Sequence, residues 1–299
     1  MLRLLTIGLV AEAAVCLPLW IAEKEGFLAD EGLAARHVVV GSPNGVTQAL
    51  TKGEVDVGLT TPEGTFVDAA HGGPLRVLAG ITNRPPLSLV TQPRFATVED
   101  LCGAAVGTAS MTEGTRRLAE VVLAAHGLRH PADYRFIVTG NHAERWRRLR
   151  SGELAAALQP PPFDRMAQEA GLRVLAPVER YVPHYAFLSV CADATSPACR
   201  EHAAAFLRAL ARGADHFHQD PPRWGRLLAQ RVGVERSYAD QAVRDLADRD
   251  LIAADLRATP AALEATLDIV RRAGRLTGPD AEFTFESAVE DRYLQQAAG

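Results

Sequence analysis

The most apolar stretch of the chain lies near its start, in residues 4–22. Its 19 residues approach the length that spans a bilayer. However, the run contains a carboxylate at Glu12 and a proline at Pro18, and both are costly in a membrane helix. Proline suits the first turn of a helix, and a glycine follows where a helix would end. The pattern therefore predicts a strand over residues 6–10 and a helix over residues 18–25.

The same stretch also has features of a secretory signal. Arg3 provides a charged start, residues 4–10 are apolar, and Ala11-Glu12-Ala13 resembles a small-x-small cleavage site. Cleavage there would remove the predicted strand, so we expect the stretch to remain in the folded protein. We expect a periplasmic protein if an export signal precedes this sequence, and a cytoplasmic one otherwise.

A weak internal repeat organises the first half of the chain. "LTKGEVDVGLTTP" at 50–62 aligns with "LRSGELAAALQPP" at 149–161. Each copy alternates short β-rich runs with helical patterns, which is typical of parallel βαβ units. The identical positions are Leu50/Leu149, Gly53/Gly152, Glu54/Glu153, Leu59/Leu158 and Pro62/Pro161.

The rest of the chain connects the two copies and then becomes helical. Residues 75–92 are predicted as two strands joined at Arg84-Pro85-Pro86, because consecutive prolines form a stiff extended connection. Residues 184–192 are a further strand-like run. The helical patterns that follow cover 198–218, 221–231, 237–247 and 259–273.

These elements predict an α/β fold with two lobes that close like a clamshell. We expect mostly parallel sheets flanked by helices, with a helical C-terminal region. Residues 1–84 and 190–299 should form lobe one, and residues 85–189 should form lobe two. The chain should cross between the lobes near 83–87 and 184–190.

Composition excludes several classes of function. The net charge is −4 and the basic residues are scattered, whereas nucleic-acid binding needs a concentrated basic face. The only lysines are Lys24 and Lys52, so few residues could form a Schiff base. The cysteines lack CxxC or metal-ligand spacing, and we predict no cofactor and no metal. They are Cys16, Cys102, Cys191 and Cys199.

Several segments resemble the NMT1/THI5-like and SsuA-like solute-binding proteins. They are "LPLWIAEKEGFLADEGL" at 17–33, the "GS…ALTKGEVDVG" block, "LRSGELAAAL" and "TVEDLCGAAVGTA" at 97–109. The resemblance implies a periplasmic-binding-protein type II fold, usually the ligand-binding subunit of an ABC importer. It also implies a monomer that binds a small organic ligand, with a permease and an ATPase as partners. Ligands in this group include alkanesulfonates, taurine, thiamine-related pyrimidines and aromatic acids.

A ligand should bind beyond the carboxyl ends of the strands, where the loops of both lobes meet. These loops contain no arginine or lysine, and Arg84 at the crossing is the nearest. Helix starts could hold a monoanion, while Glu12, Glu63 and Glu113 point instead to an amine or a pyrimidine N–H. Any of the polar residues could also simply cap a helix. The candidate ligand-binding residues are Glu12, Ala13, Ser42, Asn44, Thr60, Thr61, Asn83, Ser110, Thr112, Gln159, His184 and Tyr185.

Catalysis is the main alternative to binding. The resemblance includes yeast-type pyrimidine synthases, which carry a lysine and, four residues later, a histidine after the "DxG" strand. Thr60 and Gly64 occupy these places here. A decarboxylase could use His142, Asp164 or His184, but no pair has the spacing of a base and its orienting group. We predict no catalytic residue; an enzyme of the same fold and a cytoplasmic ligand sensor remain the alternatives.

Overall fold

The computed structural model describes residues 2–298, which form ten strands in two five-stranded sheets. The strands are β1 (Arg3–Leu9), β2 (Leu33–Val39), β3 (Val57–Thr60), β4 (Leu75–Thr82), β5 (Ser88–Thr91), β6 (Ala105–Thr108), β7 (Arg135–Val138), β8 (Ala156–Gln159), β9 (Arg173–Pro177) and β10 (Leu188–Asp193). The strand order is β2-β1-β3-β10-β4 in the first sheet and β7-β6-β8-β5-β9 in the second.

Each sheet has four strands in one direction and one strand against them. In the first sheet β1 is parallel to β2 and β3, while β10 is antiparallel to β3 and β4. In the second sheet β6 is parallel to β7 and β8, while β5 is antiparallel to β8 and β9. The reversed strands, β5 and β10, are those that follow the crossings between sheets. The two sheets therefore have equivalent strand orders, as the internal repeat indicates.

The chain passes twice between the sheets. It leaves the first sheet after Thr82 and enters the second at Ser88, and it returns between Pro177 and Leu188. We propose the lobe division stated above, with β10 starting lobe one slightly earlier, at Leu188.

Twelve α-helices flank the sheets within residues 2–298. They are α1 (Leu17–Lys24), α2 (Phe27–Asp30), α3 (Pro43–Thr51), α4 (Glu63–Ala70), α5 (Thr115–Ala125), α6 (His142–Arg150), α7 (Phe163–Glu169), α8 (Pro197–Gln219), α9 (Gly225–Val232), α10 (Arg236–Asp248), α11 (Pro260–Arg272) and α12 (Arg292–Ala298). Side chains of Ser42, Asn141, Ser196 and Thr259 accept backbone N–H hydrogen bonds at the starts of α3, α6, α8 and α11. Such caps satisfy donors that have no partner inside the helix.

The opening stretch is part of the core of lobe one. Leu5, Ile7 and Leu9 of β1 are buried, and so is Trp20 of α1. The predicted opening strand and helix are therefore confirmed, as is the helical C-terminal region. No helix within residues 2–298 combines the length and apolarity needed to cross a membrane.

The contact between α1 and α8 depends on a glycine. A Cβ atom at Gly213 of α8 would lie 2.1 Å from the Pro18 carbonyl oxygen of α1, and backbone cannot yield as a flexible side chain does. We expect Gly213→Ala to destabilise the protein by about 1–3 kcal/mol and to lower its melting temperature by roughly 2–10 °C. Differential scanning calorimetry of the purified variant measures this.

Helix propensity alone favours alanine over glycine by about 1 kcal/mol, so a lower melting temperature would report the clash. Glu201→Ala, on an exposed position of the same helix, is the control. It should change stability by less than about 0.5 kcal/mol. A melting temperature of Gly213→Ala equal to or above that of wild type would contradict the close contact of α1 and α8.

Candidate ligand-binding site

A cavity of about 90 Å³ lies between the two lobes. Loops that follow β1, β3, β6, β7 and β8 contribute to its wall, so both lobes enclose it at the carboxyl ends of their strands. This is where ligands bind in open α/β sheets. The position of the cavity therefore makes it the primary candidate for a ligand site.

Most of the cavity wall is apolar. Leu59, Leu87, Phe187 and Leu188 contribute from strands β3 and β10 and from the crossings. Leu246 of α10 also reaches the cavity, although the C-terminal helices lie outside the repeat. This wall can bury a small hydrocarbon body and leaves polar recognition to a few groups.

Arg145 is the main polar group of the cavity. It lies in the second turn of α6 and is only 3% exposed. Its Nε donates to the Leu158 carbonyl oxygen at 3.1 Å, and its Nη1 donates to the Gly140 carbonyl oxygen at 3.0 Å. These two bonds fix the guanidinium against the cavity, and neither of them uses Nη2.

Within residues 2–298, no carboxylate forms an ion pair with Arg145. Burial lowers the pKa of the guanidinium to about 10, so the group still carries its charge at neutral pH. A buried charge without a counter-ion is unfavourable. The cavity is therefore an electropositive site that an anion would complete.

His142 joins the two lobes beside Arg145. Its Nε2 lies 2.9 Å from the carbonyl oxygen of Glu12, which can only accept, so Nε2 carries the proton. Burial and the positive charge of Arg145 lower the pKa of His142 to about 3. The imidazole is therefore neutral and contributes a hydrogen bond between the lobes rather than a second positive charge.

Two threonines lie in the opposite wall, on lobe one. Thr60 and Thr61 line the cavity, and the buried Thr60 hydroxyl has no hydrogen-bond partner among residues 2–298. A buried hydroxyl without a partner is costly. The Thr60 hydroxyl is thus a candidate hydrogen-bonding group for a ligand in this cavity.

Cys16 is the only cysteine in the cavity wall within residues 2–298. Burial raises the pKa of its thiol to about 12, and its Sγ lies 3.8 Å from the Ala11 carbonyl oxygen. A thiol is nucleophilic only as the thiolate. Cys16 is therefore a packing residue at neutral pH.

Several of the residues predicted from the sequence lie at or near the cavity. Ala13, Thr60 and Thr61 line it, and the backbone of Glu12 bonds to His142. Gln159 is buried beneath α6, where its amide can donate to the His142 carbonyl oxygen and accept from the Trp146 N–H. It can thus support the helix that carries Arg145.

The other predicted residues have different surroundings. Ser42 caps α3, and Asn44 lies in the first turn of that helix. The hydroxyls of Ser110 and Thr112 lie 3.1 Å apart and bond each other in the loop before α5. None of these four lines the cavity.

Three predicted residues lie along the crossings. Asn83 and His184 line a separate, polar cleft of about 950 Å³, which also contains Arg84. Tyr185 is buried and donates its hydroxyl proton to Glu63 Oε1 at 2.8 Å. Ligand contacts by all of the predicted residues remain predictions.

Arg145 was not among the residues predicted from the sequence, because it lies on a helix and the predicted residues come from the loops and the crossings. One signal was available: a helix that begins at Asn141 places Arg145 one turn after His142 on the same face. For metals, no group of three or more His, Cys, Asp or Glu side chains within residues 2–298 could hold an ion.

Known structures share this architecture. The ligand-binding component of an ABC-type import system from Staphylococcus aureus, solved with zinc bound, superimposes with a TM-score of 0.78 at 14% identity over 99% of both chains. The alkanesulfonate-binding protein SsuA from Xanthomonas axonopodis pv. citri, bound to MOPS, superimposes with a TM-score of 0.73 at 19% identity, over 96% of this chain and 98% of that chain.

An enzyme is also similar in structure. A mutant of the desulfurization enzyme DSZB in complex with biphenyl-2-sulfinic acid superimposes with a TM-score of 0.68 at 14% identity, over 99% of this chain and 98% of that chain. At these identities the likeness establishes the fold alone, which is that of the periplasmic binding proteins.

Sequence comparison identifies the family. No curated protein matches the sequence. A family model described as NMT1/THI5 like matches residues 14–223, which is more than half of the chain. The match covers the second copy of the repeat, most of the first copy, and most of the loops that enclose the cavity. The chain therefore belongs to the NMT1/THI5-like family.

Proposed function

We propose that this protein captures a small organic monoanion between its two lobes, as the ligand-binding component of an ABC-type importer. The observation that carries the proposal is Arg145, a buried cation without a counter-ion in the wall of the interlobe cavity. The similar structure of an ABC-type import component supports the role in import, and that of an alkanesulfonate-binding protein supports an anionic ligand. The binding component of an importer must capture its ligand outside the cytoplasmic membrane, so we propose a periplasmic location.

The electrostatics favour a single negative charge on the ligand. Arg145 can balance one anionic group, with the Thr60 hydroxyl as a further hydrogen-bond donor. A polyphosphate would bring several charges that the cavity does not balance. An amine or a protonated pyrimidine would place a second positive charge beside the buried guanidinium. The amine alternative is therefore disfavoured.

The size of the cavity favours a short ligand. Its volume of about 90 Å³ is below the roughly 150 Å³ of an engineered cavity that holds benzene. A sulfonate or carboxylate with a few carbon atoms suits this space, and the apolar wall suits its hydrocarbon part. A bulkier ligand would require a less complete closure of the lobes.

Binding without chemical change is favoured over catalysis. DSZB shows that the fold also supports an enzyme. In this chain the cavity thiol, Cys16, is protonated at neutral pH, and the Nε2–H of His142 is engaged by a backbone carbonyl. Neither residue is arranged as a nucleophile with its base.

A thermal-shift screen tests the proposal. The panel contains methane-, ethane- and propanesulfonate, the matching carboxylates, and alkylammonium salts of the same lengths. A ligand at a hundred times its Kd adds about 2.7 kcal/mol of stability, which should raise the melting temperature by about 5–10 °C. We expect this rise with anions only, and recovery of unchanged ligand by mass spectrometry. A rise with ammonium compounds alone, or conversion of a ligand, would contradict the proposal.

A further inference from the structure

Two buried glutamates from opposite lobes meet next to the cavity. Glu63, at the start of α4 in lobe one, is 1% exposed, and Glu113, in the loop before α5 in lobe two, is 0% exposed. Neither lines the cavity. Buried carboxylates are rare unless they are paired, and these two are not explained by ligand contact.

Each glutamate receives a hydrogen bond from the opposite lobe. The Gly114 N–H of lobe two donates to Glu63 Oε2 at 2.7 Å. Arg275, which follows α11 in lobe one, donates from Nη1 to Glu113 Oε1 at 2.8 Å. Tyr185, on the crossing, completes the arrangement by donating to Glu63 Oε1. These contacts require the lobes to be closed.

The cluster has one unbalanced negative charge and one carboxylate oxygen without a hydrogen-bond donor. Three of the four carboxylate oxygens have donors, but the buried Glu113 Oε2 has none among residues 2–298. Two carboxylates face a single cation, Arg275, so one negative charge is unbalanced. A single proton on the pair would balance the charge.

The other charges near Glu63 do not balance it. Helix α3, which packs against α4, carries no charged side chain. On α11, Arg271 pairs with Glu264 and Asp268. On β4, Arg76 donates to backbone carbonyls. On α4 itself Asp68 accepts from the Leu75 N–H, and Glu286, in the segment Phe285–Ala288 that packs against α4, is exposed. Glu113 and Arg275 are therefore the charges that act on Glu63.

We propose that closure of the lobes takes up one proton from solvent onto the Glu63–Glu113 pair, so that acidification promotes ligand capture and neutral or alkaline pH promotes release. The proposal rests on the proposed function because closure is what captures the ligand. In the open form, both carboxylates would meet water and ionise normally. Because the two groups interact, the proton belongs to the pair rather than to either residue.

The direction of the pH effect follows from the closed form. Burial and the charge of Glu113 raise the pKa of Glu63 to about 7, and burial also raises the pKa of Glu113 against the opposing effect of Arg275. A group whose pKa rises on closing favours the closed form at low pH. This contribution is lost as the pH rises from the ordinary value toward 7, and above that the effect levels off.

Calorimetric titration with ethanesulfonate between pH 5.5 and 8.5 tests the proposal, because the sulfonate stays ionised throughout. We expect the Kd of wild type to weaken about tenfold or more between pH 5.5 and 7.5. In Glu63→Gln the amide oxygen can still accept from the Gly114 N–H and the amide NH2 can donate to the Tyr185 oxygen, but the titrating charge is gone. This variant should bind almost independently of pH. Glu54→Gln, on an exposed position of the same lobe, should behave like wild type.

Small-angle scattering of the unliganded proteins provides a second readout that needs no ligand. Wild type should expand between pH 5.5 and 8.5, and Glu63→Gln should stay compact. If no monoanion binds at any pH, the proposed function is wrong. The proton uptake is then tested by the scattering comparison of wild type and Glu63→Gln alone. If wild type and Glu63→Gln show the same pH dependence of the radius of gyration, and of the Kd where a monoanion binds, the proposed proton uptake is wrong.

Discussion

Replacing Arg145 with methionine is expected to weaken the binding of the best anionic ligand. The expected loss of affinity is about 10- to 150-fold for each hydrogen bond between Arg145 and the ligand. This range follows from the roughly 1.5–3 kcal/mol that a hydrogen bond to a charged group contributes. The side chain is buried and has no carboxylate partner in the described chain, so its charge is available to the ligand. Isothermal titration calorimetry measures the change.

The fold should survive this substitution. Arg145→Met loses bonds to the carbonyls of Leu158 and Gly140, but it also removes a buried charge that lacks a partner. Exchange of buried charges for apolar groups of similar size is often neutral or stabilising. We therefore expect the unliganded melting temperature to stay within about 5 °C of wild type.

Arg148→Met is the matched control, since Arg148 lies on the same helix and pairs with Glu144 at the surface. It should bind ligand like wild type. Full affinity in Arg145→Met, or equal losses in both variants, would remove the assignment of Arg145 as the anion site.

Filling the cavity is expected to weaken ligand binding strongly. Ala109 follows β6 in the wall contributed by lobe two and is 8% exposed. A phenyl ring in place of its methyl group would occupy space that is already smaller than a benzene-sized cavity. We expect Ala109→Phe to weaken binding on the order of a hundredfold or more, as measured by titration calorimetry.

Overpacking also lowers the free energy of unfolding, by about 1–3 kcal/mol. The control variant must therefore introduce the same larger side chain at a buried position away from the cavity. Ala104 is equally buried at 8% but lies at the opposite end of β6, away from the cavity. Ala104→Phe should therefore destabilise the protein without changing the affinity. Ala13→Phe fills the cavity from lobe one and provides a second test if Ala109→Phe does not fold. Tight binding by both cavity variants would place the site elsewhere.

The architecture was predictable because it depends on local patterns. Pro18 and the following glycine delimit the first helix, and the alternation of strands and helices in the repeat determines the topology. Parallel topology then brings the loops after β1, β3, β6, β7 and β8 together, whatever residues they contain. The location of the cavity follows from the sequence for this reason.

The chemistry of the site was not predictable in the same way. Four of the nine residues in "HAERWRRLR" are arginines, and the pattern separates Arg145 from Arg147 and Arg148 only by its spacing from His142. Tertiary packing separates them, since the latter two pair with Glu144 at the surface while Arg145 is enclosed. The contribution of Leu246 to the cavity is likewise non-local, because α10 lies outside the repeat.

An organic monoanion should bind between the lobes at Arg145. The most direct measurement is a crystal structure with the sulfonate or carboxylate that produces the largest thermal shift. We predict closed lobes, with an anionic oxygen about 2.7–3.2 Å from the Arg145 guanidinium and the hydrocarbon part against Leu246 and Phe187. A ligand located instead in the polar cleft beside Asn83 and His184, with the interlobe cavity empty, would contradict the account.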